Sequence, residues 1–301
     1  MPLSTGSETA SGMRGVYLQL RKYRWFRLLI LIGLPMFVLA AFFVVPLFFM
    51  VGLSFLDGLP PGAGITLDNY LGVVDSVYLS VLWRTFVLTA QTTLLVSVLG
   101  YTLAYSMVRF SKHTTFFLLL VVLPFWTNYI VRMYALITVF QNGGALSWLM
   151  NAVGLANGDF GILYTNHAVF LGLSYVWLPL ATLPFYASLT NLDTDLIDAA
   201  KDLGAGPIKA FVTVTLPMTY TGIMAGVVLV AIPAFGSFVT PELLGGTNQV
   251  MIGNIIDQQF NQAFNWPFGS ALGIIVSAFM VLILAVSALG GNSISRTGDV
   301  E

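Results

Sequence analysis

Cysteine is absent from the 301 residues, which excludes disulfides, iron–sulfur clusters and thiolate zinc sites. Charge is nearly as scarce. Asp, Glu, Lys and Arg make up 8% of the chain, against roughly a quarter in soluble globular proteins. So little polar surface cannot keep a compact globule in water, which excludes a soluble enzyme, a disordered chain and a basic nucleic-acid binder. The formal net charge of −1 points to no polyanionic partner. Histidine occurs twice, at His113 and His167, too far apart in sequence to suggest a metal pair. What the chain does have is apolar surface: 57% of residues are hydrophobic and the mean hydropathy is +0.87.

A helix needs roughly 20 apolar residues to cross a bilayer core. Stretches free of Asp, Glu, Lys and Arg separate Arg27 from Asp57, Arg84 from Arg109, Lys112 from Arg132, Asp159 from Asp193, Lys209 from Glu242 and Asp257 from Arg296. Each has room for one span, and the third apolar pattern continues past Arg132 to about Phe140. The reading is an all-α membrane protein with about six transmembrane helices, near 28–55, 85–108, 116–140, 167–190, 218–241 and 269–290. Continuous apolar runs without dyad alternation favour helices over a barrel.

With the N-terminus in the cytoplasm, ten of the twelve basic residues fall on the inner side, as the positive-inside rule requires. Both termini are then cytoplasmic, as tails of residues 1–27 and 291–301. The first span is read as a retained helix, because its apolar run is too long for a signal peptide. Two long outer loops are expected. Residues 57–84 are turn-rich around Pro60 and Pro61, and residues 141–166 carry Leu146, Leu149, Met150 and Val153 at the spacing of a short amphipathic helix.

The cytoplasmic segment 191–217 is the most informative. Asp193 or Asp195 can cap a helix and Asp198 sits in an early turn, where the helix dipole favours it. Gly204 or Gly206 can end that helix, and Pro207 can open the next. Leu192, Leu196, Ile197, Ala200 and Leu203 share a face, and Ala199 and Ala200 keep the helix slim. Lipid-bound helices carry Lys and Arg towards anionic headgroups. Four aspartates on or beside this helix, with one lysine, suit a groove on a soluble protein partner better than lipid.

Asp198-Ala199-Ala200, Gly204 and then Val214-Thr-Leu216-Pro217 resemble the EAA loop of ABC-importer permeases, with Asp in place of Glu and Val in place of Ile. Leu123-Pro-Phe-Trp-Thr-Asn128 with Arg132-Met-Tyr134 resembles the third span of the spermidine/putrescine branch. Leu243-Leu-Gly-Gly246, Ile252-Gly-Asn254 and Asn265-Trp-Pro-Phe-Gly269 resemble its last outer loop and final span. The resemblance covers roughly residues 25–290. It implies a type I ABC-importer permease bundle in a bacterial inner membrane, with Leu196, Asp198, Ala199, Ala200, Leu203 and Gly204 coupling it to an ATPase. The implied partners are an ATP-binding subunit dimer carrying ATP and Mg, a second permease chain and a periplasmic solute-binding protein. The implied cargo is spermidine or putrescine, and the chain itself is expected to bind no cofactor. No G-x-x-x-x-G-K-[ST] phosphate loop occurs in these residues, so an ATP-driven system needs its ATPase on another chain.

Polar groups and broken helices at membrane depth mark pathways. Trp126, Tyr129 and Arg132 in span three, Phe235 beside Pro233 and Gly236 in span five, and the acids Glu242 and Asp257 are the candidate path residues. On a straight helix Arg132 would lie about 24 Å along the third span, near its outer end. There it would snorkel outward, line the cavity, or pair with Asp257 or Glu242. The aromatics fit a pathway wall or a lipid-facing belt equally. A permease for another small solute, such as an amino acid derivative or opine, is the near alternative. A self-sufficient secondary carrier is the more distant one, since no Asp or Glu falls inside the spans.

Overall fold

The computed structural model describes residues 24–59, 63–155, 158 and 160–297, with side chains described from residue 31 to residue 287 within those ranges. Most of the 1–27 tail, Pro60, Pro61, Asp159 and the last four residues of the 291–301 tail lie outside the described residues. So do the side chains of Arg24, Arg27 and Arg296.

Among the described residues the fold is all helical apart from one isolated bridge, Leu56 to Ile65. Four helices are long and apolar enough to cross a membrane singly, and two bent pairs bring the number of spans to six if each pair is one span. The first rod is α1 (Arg24–Leu39) and α2 (Val45–Ser54), joined by a π turn over Ala40–Val44. A second π turn, Phe211–Thr215, lies later in the chain. Each ends two residues before a proline, Pro46 and Pro217. Proline lacks an N–H and clashes with the carbonyl one turn back, and the wider turn absorbs both faults. The α1–α2 rod stands on the flank and packs chiefly against the last helix.

After α3 (Asp68–Val73), α4 runs from Ser76 to Phe110 with Asp75 as its N-cap. It starts inside the segment that the sequence assigns to an outer loop. At 35 residues it is about 52 Å long, well beyond the roughly 30 Å core. Ser76–Arg84 was hidden because Arg84 closes the charge-free run while lying within the helix.

The third span is not straight. α5 (Thr114–Val122) passes into a 3-10 turn, Leu123–Trp126, and α6 (Tyr129–Phe140) restarts with Asn128 as N-cap. The axis turns by 96°, because Pro124 denies the helix a donor and the Asn128 side chain captures the Ile130 N–H instead, at 2.8 Å. The straight helix from which the depth of Arg132 was reckoned is therefore not the one the chain forms. α7 (Ala145–Ala152) occupies the position of the expected amphipathic helix.

α8 (Asn166–Thr190) is the most deeply buried of the long helices. It packs against α4 and against α12 (Tyr220–Phe235), and these three form the centre of the bundle. Phe185 and Val96 are fully buried there with Tyr101, whose hydroxyl meets Thr219 Oγ1 at 2.8 Å. Between α8 and α12 lie α9 (Thr194–Asp202), α10 (Pro207–Ala210) and α11 (Leu216–Met218). The fifth span was expected to reach 241, but α12 ends at Phe235. The chain breaks at Gly236-Ser237 and re-forms as α13 (Val239–Leu244). α14 (Ile252–Asn261), unforeseen in the sequence reading, precedes α15 (Trp266–Thr297).

Candidate functional site

Two regions carry the candidate residues. The first is the end of the bundle that bears α9. Asp193 Oδ1 accepts the Asp195 N–H at 3.0 Å and starts the helix. At the other end Gly204 adopts φ +83°. The Ala205 N–H then reaches Ala200 O at 3.0 Å and the Gly204 N–H reaches Lys201 O at 2.8 Å, the paired bonds of a Schellman stop. Pro207 opens α10 at its first turn.

The apolar face of α9 is divided. Ile197 and Ala200 are half-buried towards the bundle, whereas Leu196, Asp198, Ala199 and Gly204 are exposed and Leu203 is 90% exposed. Beyond the turn Ile208 is 80% exposed. An apolar ridge thus stands proud of the bundle beside acidic side chains. Lys201 Nζ lies 2.6 Å from Asp198 Oδ1, the one ion pair among the described residues. The hydrogen bond from Lys201, with its charge, holds the Asp198 carboxyl below the usual carboxylate range, and Arg109 adds to this from α4. A depressed carboxyl favours the paired state above its unfolded pKa and loses that advantage as pH falls through the folded value. Lys201→Met is expected to return Asp198 towards ordinary carboxylate titration, read by pH-dependent carboxyl NMR shifts. An unmoved titration would remove the pair as the cause.

The second region surrounds the two breaks, in span three and after α12. Arg132 is 7% exposed. Its guanidinium lies 5.8 Å from the Phe125 ring centroid and 5.6 Å from that of Tyr129, within cation–π reach. Its Nε and Nη1 have no hydrogen-bond partner. Among the described residues it pairs with neither Asp257 nor Glu242. The Tyr129 hydroxyl meets Thr240 Oγ1 and so ties α6 to α13. Trp126, on the 3-10 turn, is 79% exposed, in contrast to the buried Arg132. Phe235 is buried, with its ring 4.9 Å from that of Phe279.

The two acids are separately employed. Glu242 is exposed in the first turn of α13 and accepts from Asn254 Nδ2 at 3.0 Å. Asp257 is half-buried on α14 and accepts from Asn261 Nδ2 at 2.7 Å. Asp257 also lines a cavity of about 380 Å³ with Phe238, Phe260 and Ser277. A carboxylate beside two aromatic faces suits an ammonium group.

Sequence reasoning missed the residues that hold this region together. Asn254 Oδ1 accepts the Met251 N–H at 3.1 Å and Nδ2 donates to Phe238 O at 2.9 Å. Asn254 therefore fastens α14 to the break after α12. Arg84 donates to the carbonyls of Asn248 and Val250, and Thr85 Oγ1 accepts the Ile252 N–H at 2.9 Å. These contacts pin residues 248–252 to α4. The signal for α14 was present, since Ile252, Ile255, Ile256 and Phe260 recur at helical spacing.

The family described as "Binding-protein-dependent transport system inner membrane component" matches residues 96–296. The chain belongs to this family. Among relatives of this transport permease, the spermidine/putrescine transport system permease protein PotB of Haemophilus influenzae is 36% identical over 238 residues, which cover 79% of this chain and 83% of the relative. PotB of Escherichia coli is also 36% identical, over 78% of this chain and 86% of its own. The inner membrane ABC transporter permease protein YdcU of Escherichia coli is 30% identical over 75% of this chain and 76% of its own.

The fold of the permease is that of ABC importers. A chain of a bacterial ABC transporter involved in the import of the acidic polysaccharide alginate superposes with a TM-score of 0.73 at 16% identity, covering 93% of this chain and 98% of that one. A chain of the MetNI methionine ABC transporter superposes with a TM-score of 0.54 at 17% identity, over 72% of this chain and 95% of that one.

Proposed function

We propose that this permease subunit conducts spermidine or putrescine across a bacterial inner membrane in an ATP-driven importer. A periplasmic solute-binding protein delivers the cargo, and a second, related permease chain completes the path. A dimer of ATP-binding subunits, which holds the ATP and Mg, closes on ATP binding. The chain crosses the membrane several times with its N-terminus in the cytoplasm, which puts α9 on the cytoplasmic face. The observation that carries this reading is the exposed ridge of Leu196, Ala199 and Leu203 on a helix closed by the Gly204 stop. Burying such a ridge in an ATPase groove transmits closure to α8 and α12, between which α9 is strung. The bundle then alternates between two packings.

The polyamine assignment is supported by the similarity to the two PotB proteins and by the Asp257 cavity, whose carboxylate and rings suit a flexible polycation. The test is uptake of labelled spermidine into vesicles that contain this chain, the second permease and the ATPase, with binding protein outside. ATP-dependent accumulation is expected. Uptake of a neutral amino acid but of no polyamine would overturn the assignment. In the same vesicles Glu242→Gln with Asp257→Asn is expected to lower polyamine uptake about tenfold, the equivalent of about 1.4 kcal/mol. Wild-type uptake by the double variant would remove the acids from the route.

A further inference from the structure

A buried chain of hydroxyls sits where the segment that follows α9 turns into α12. α11 ends at Met218 and α12 begins at Tyr220. The axes of Pro207–Met218 and Tyr220–Phe235 meet at 67°. Thr219 stands between them and is fully buried. Its Oγ1 donates to Thr215 O at 2.8 Å. A hydroxyl has one proton, so the tyrosine donates the 2.8 Å bond between Tyr101 and Thr219 Oγ1. The order is Tyr101 O–H to Thr219 Oγ1, then Thr219 O–H to Thr215 O. A threonine hydroxyl that bonds the carbonyl one turn back bends its helix. Here the bent residue is also held from α4, a helix far away in the sequence.

Tyr101 is not an isolated tether. Phe211 opens the second π turn. Its ring centroid lies 6.1 Å from that of Tyr101 and 5.2 Å from that of Tyr105, edge-on in both cases. α9 packs against this turn and against α10. A contiguous set of contacts therefore runs from α9 through the turn and Thr219 to two tyrosines one helical turn apart on α4. From Tyr101, α4 continues without a break to its outer part. About 24 Å away along the helix, Thr85 Oγ1 accepts the Ile252 N–H at 2.9 Å and Arg84 donates to Val250 O at 2.7 Å. One helix thus joins the Thr219 hinge to residues 248–252, beside the Asn254 fastening.

We propose that Tyr101 is a positioning residue for transport: its bond to Thr219 pins the hinge to α4, so that a movement of α9 is carried along α4 to residues 248–252. The pin rests on the coupling role given to α9 above and not on the identity of the cargo. Without the bond, the segment from α9 to α11 can pivot about Thr219 and leave α4 behind. With it, the hinge residue and α4 move together. The interior around the bond is dry, so no water competes for Thr219 Oγ1, and a hydrogen bond there is stronger than one in water. Tyr101→Phe is the discriminating variant. It keeps the ring against Phe185 and Phe211. It also leaves the Thr219 proton on Thr215 O, so no buried donor is stranded.

The test uses the complete transporter in vesicles and reads the ATP hydrolysed per spermidine imported. Tyr101→Phe is expected to raise that ratio about fivefold, the worth of one net hydrogen bond, with the ATPase still co-purifying and the thermal midpoint in detergent within about 2 °C of wild type. Thr219→Ser keeps the hydroxyl and is expected to keep the wild-type ratio. Tyr101→Phe with Thr219→Val is expected to be no less coupled than Thr219→Val alone, because the two residues share one bond. A second measurement needs no cargo. The chain has no cysteine, so Asn248→Cys gives it one thiol at an exposed position whose backbone carbonyl still accepts from Arg84. ATP with vanadate is expected to change the maleimide labelling rate of that thiol about threefold, and Tyr101→Phe to abolish the change. If Tyr101→Phe keeps the wild-type ratio and the wild-type labelling response, the pin is overturned and the coupling role of α9 survives. If it sheds the ATPase or lowers the midpoint by more than about 5 °C, its role is structural and the pin is likewise overturned. If the chain with Tyr101 intact shows neither ATP-driven uptake nor an ATP-dependent change in labelling, the coupling role of α9 falls and the pin with it.

Discussion

Gly204→Val is expected to cut uptake at least about tenfold while the chain still inserts, and to reduce co-purification of the ATPase. Gly204 holds φ +83°, and a Cβ there would meet no atom within 4 Å. Crowding within the chain is therefore not the cause. The left-handed backbone costs an L-residue about 1–2 kcal/mol, and a β-branched one is the least tolerant of it. Relieving that strain undoes the Ala205–Ala200 and Gly204–Lys201 bonds. The end of α9 then re-aims Leu203 and the entry to α10. Gly204→Asn separates shape from sequence, because asparagine tolerates this conformation, and it is expected to retain most of the uptake. Uptake and co-purification in reconstituted vesicles check both variants. Wild-type values for the valine variant would remove the coupling role from this turn.

Gly226→Val is expected to be the most damaging change to the bundle itself. A Cβ at position 226 would collide with the Phe185 ring, with Cζ only 2.6 Å away. Phe185 is fully buried and lies against Tyr101, with ring centroids 5.8 Å apart, so the ring has nowhere to go. Overpacking of this kind costs about 1–3 kcal/mol, and more where neighbours are held. The thermal midpoint in detergent should fall by about 5 °C or more. Phe185→Leu in the same chain is expected to restore part of it, since the two residues touch and their effects are not additive. An unchanged midpoint in the single variant would mean that α12 does not pass so close to α8.

How far the site was legible in the sequence differs between the two regions. Around α9 almost every element is local: an aspartate cap, a lysine one turn from an aspartate, a glycine stop, a proline start. Each acts on residues within about a turn of itself, so spacing along the chain is enough to read it. Around the breaks the determinants are distant in sequence. Thr240 meets Tyr129, Asn254 meets Phe238 and Glu242, and Arg84 meets Asn248 and Val250. No periodicity announces such pairs. Charge-free gaps also misled in one respect. They mark where charge is expensive, not where a helix starts, and so they missed the first nine residues of α4 and the whole of α14.

From the sequence alone came the membrane class, the all-helical fold, the approximate number of spans and the helix–stop–helix of segment 191–217. All of these follow from the cost of placing charge or open backbone in lipid, or from bonds made within a turn. Only the tertiary structure decided that the third span turns through 96°, that Arg132 is buried within cation–π reach of Phe125 and Tyr129 and that Trp126 is exposed. It also decided that Asp257 opens on a cavity. These depend on which faces of separate helices meet, and in a chain that is apolar on nearly every face hydrophobicity does not choose between them. Close packing and long-range hydrogen bonds do.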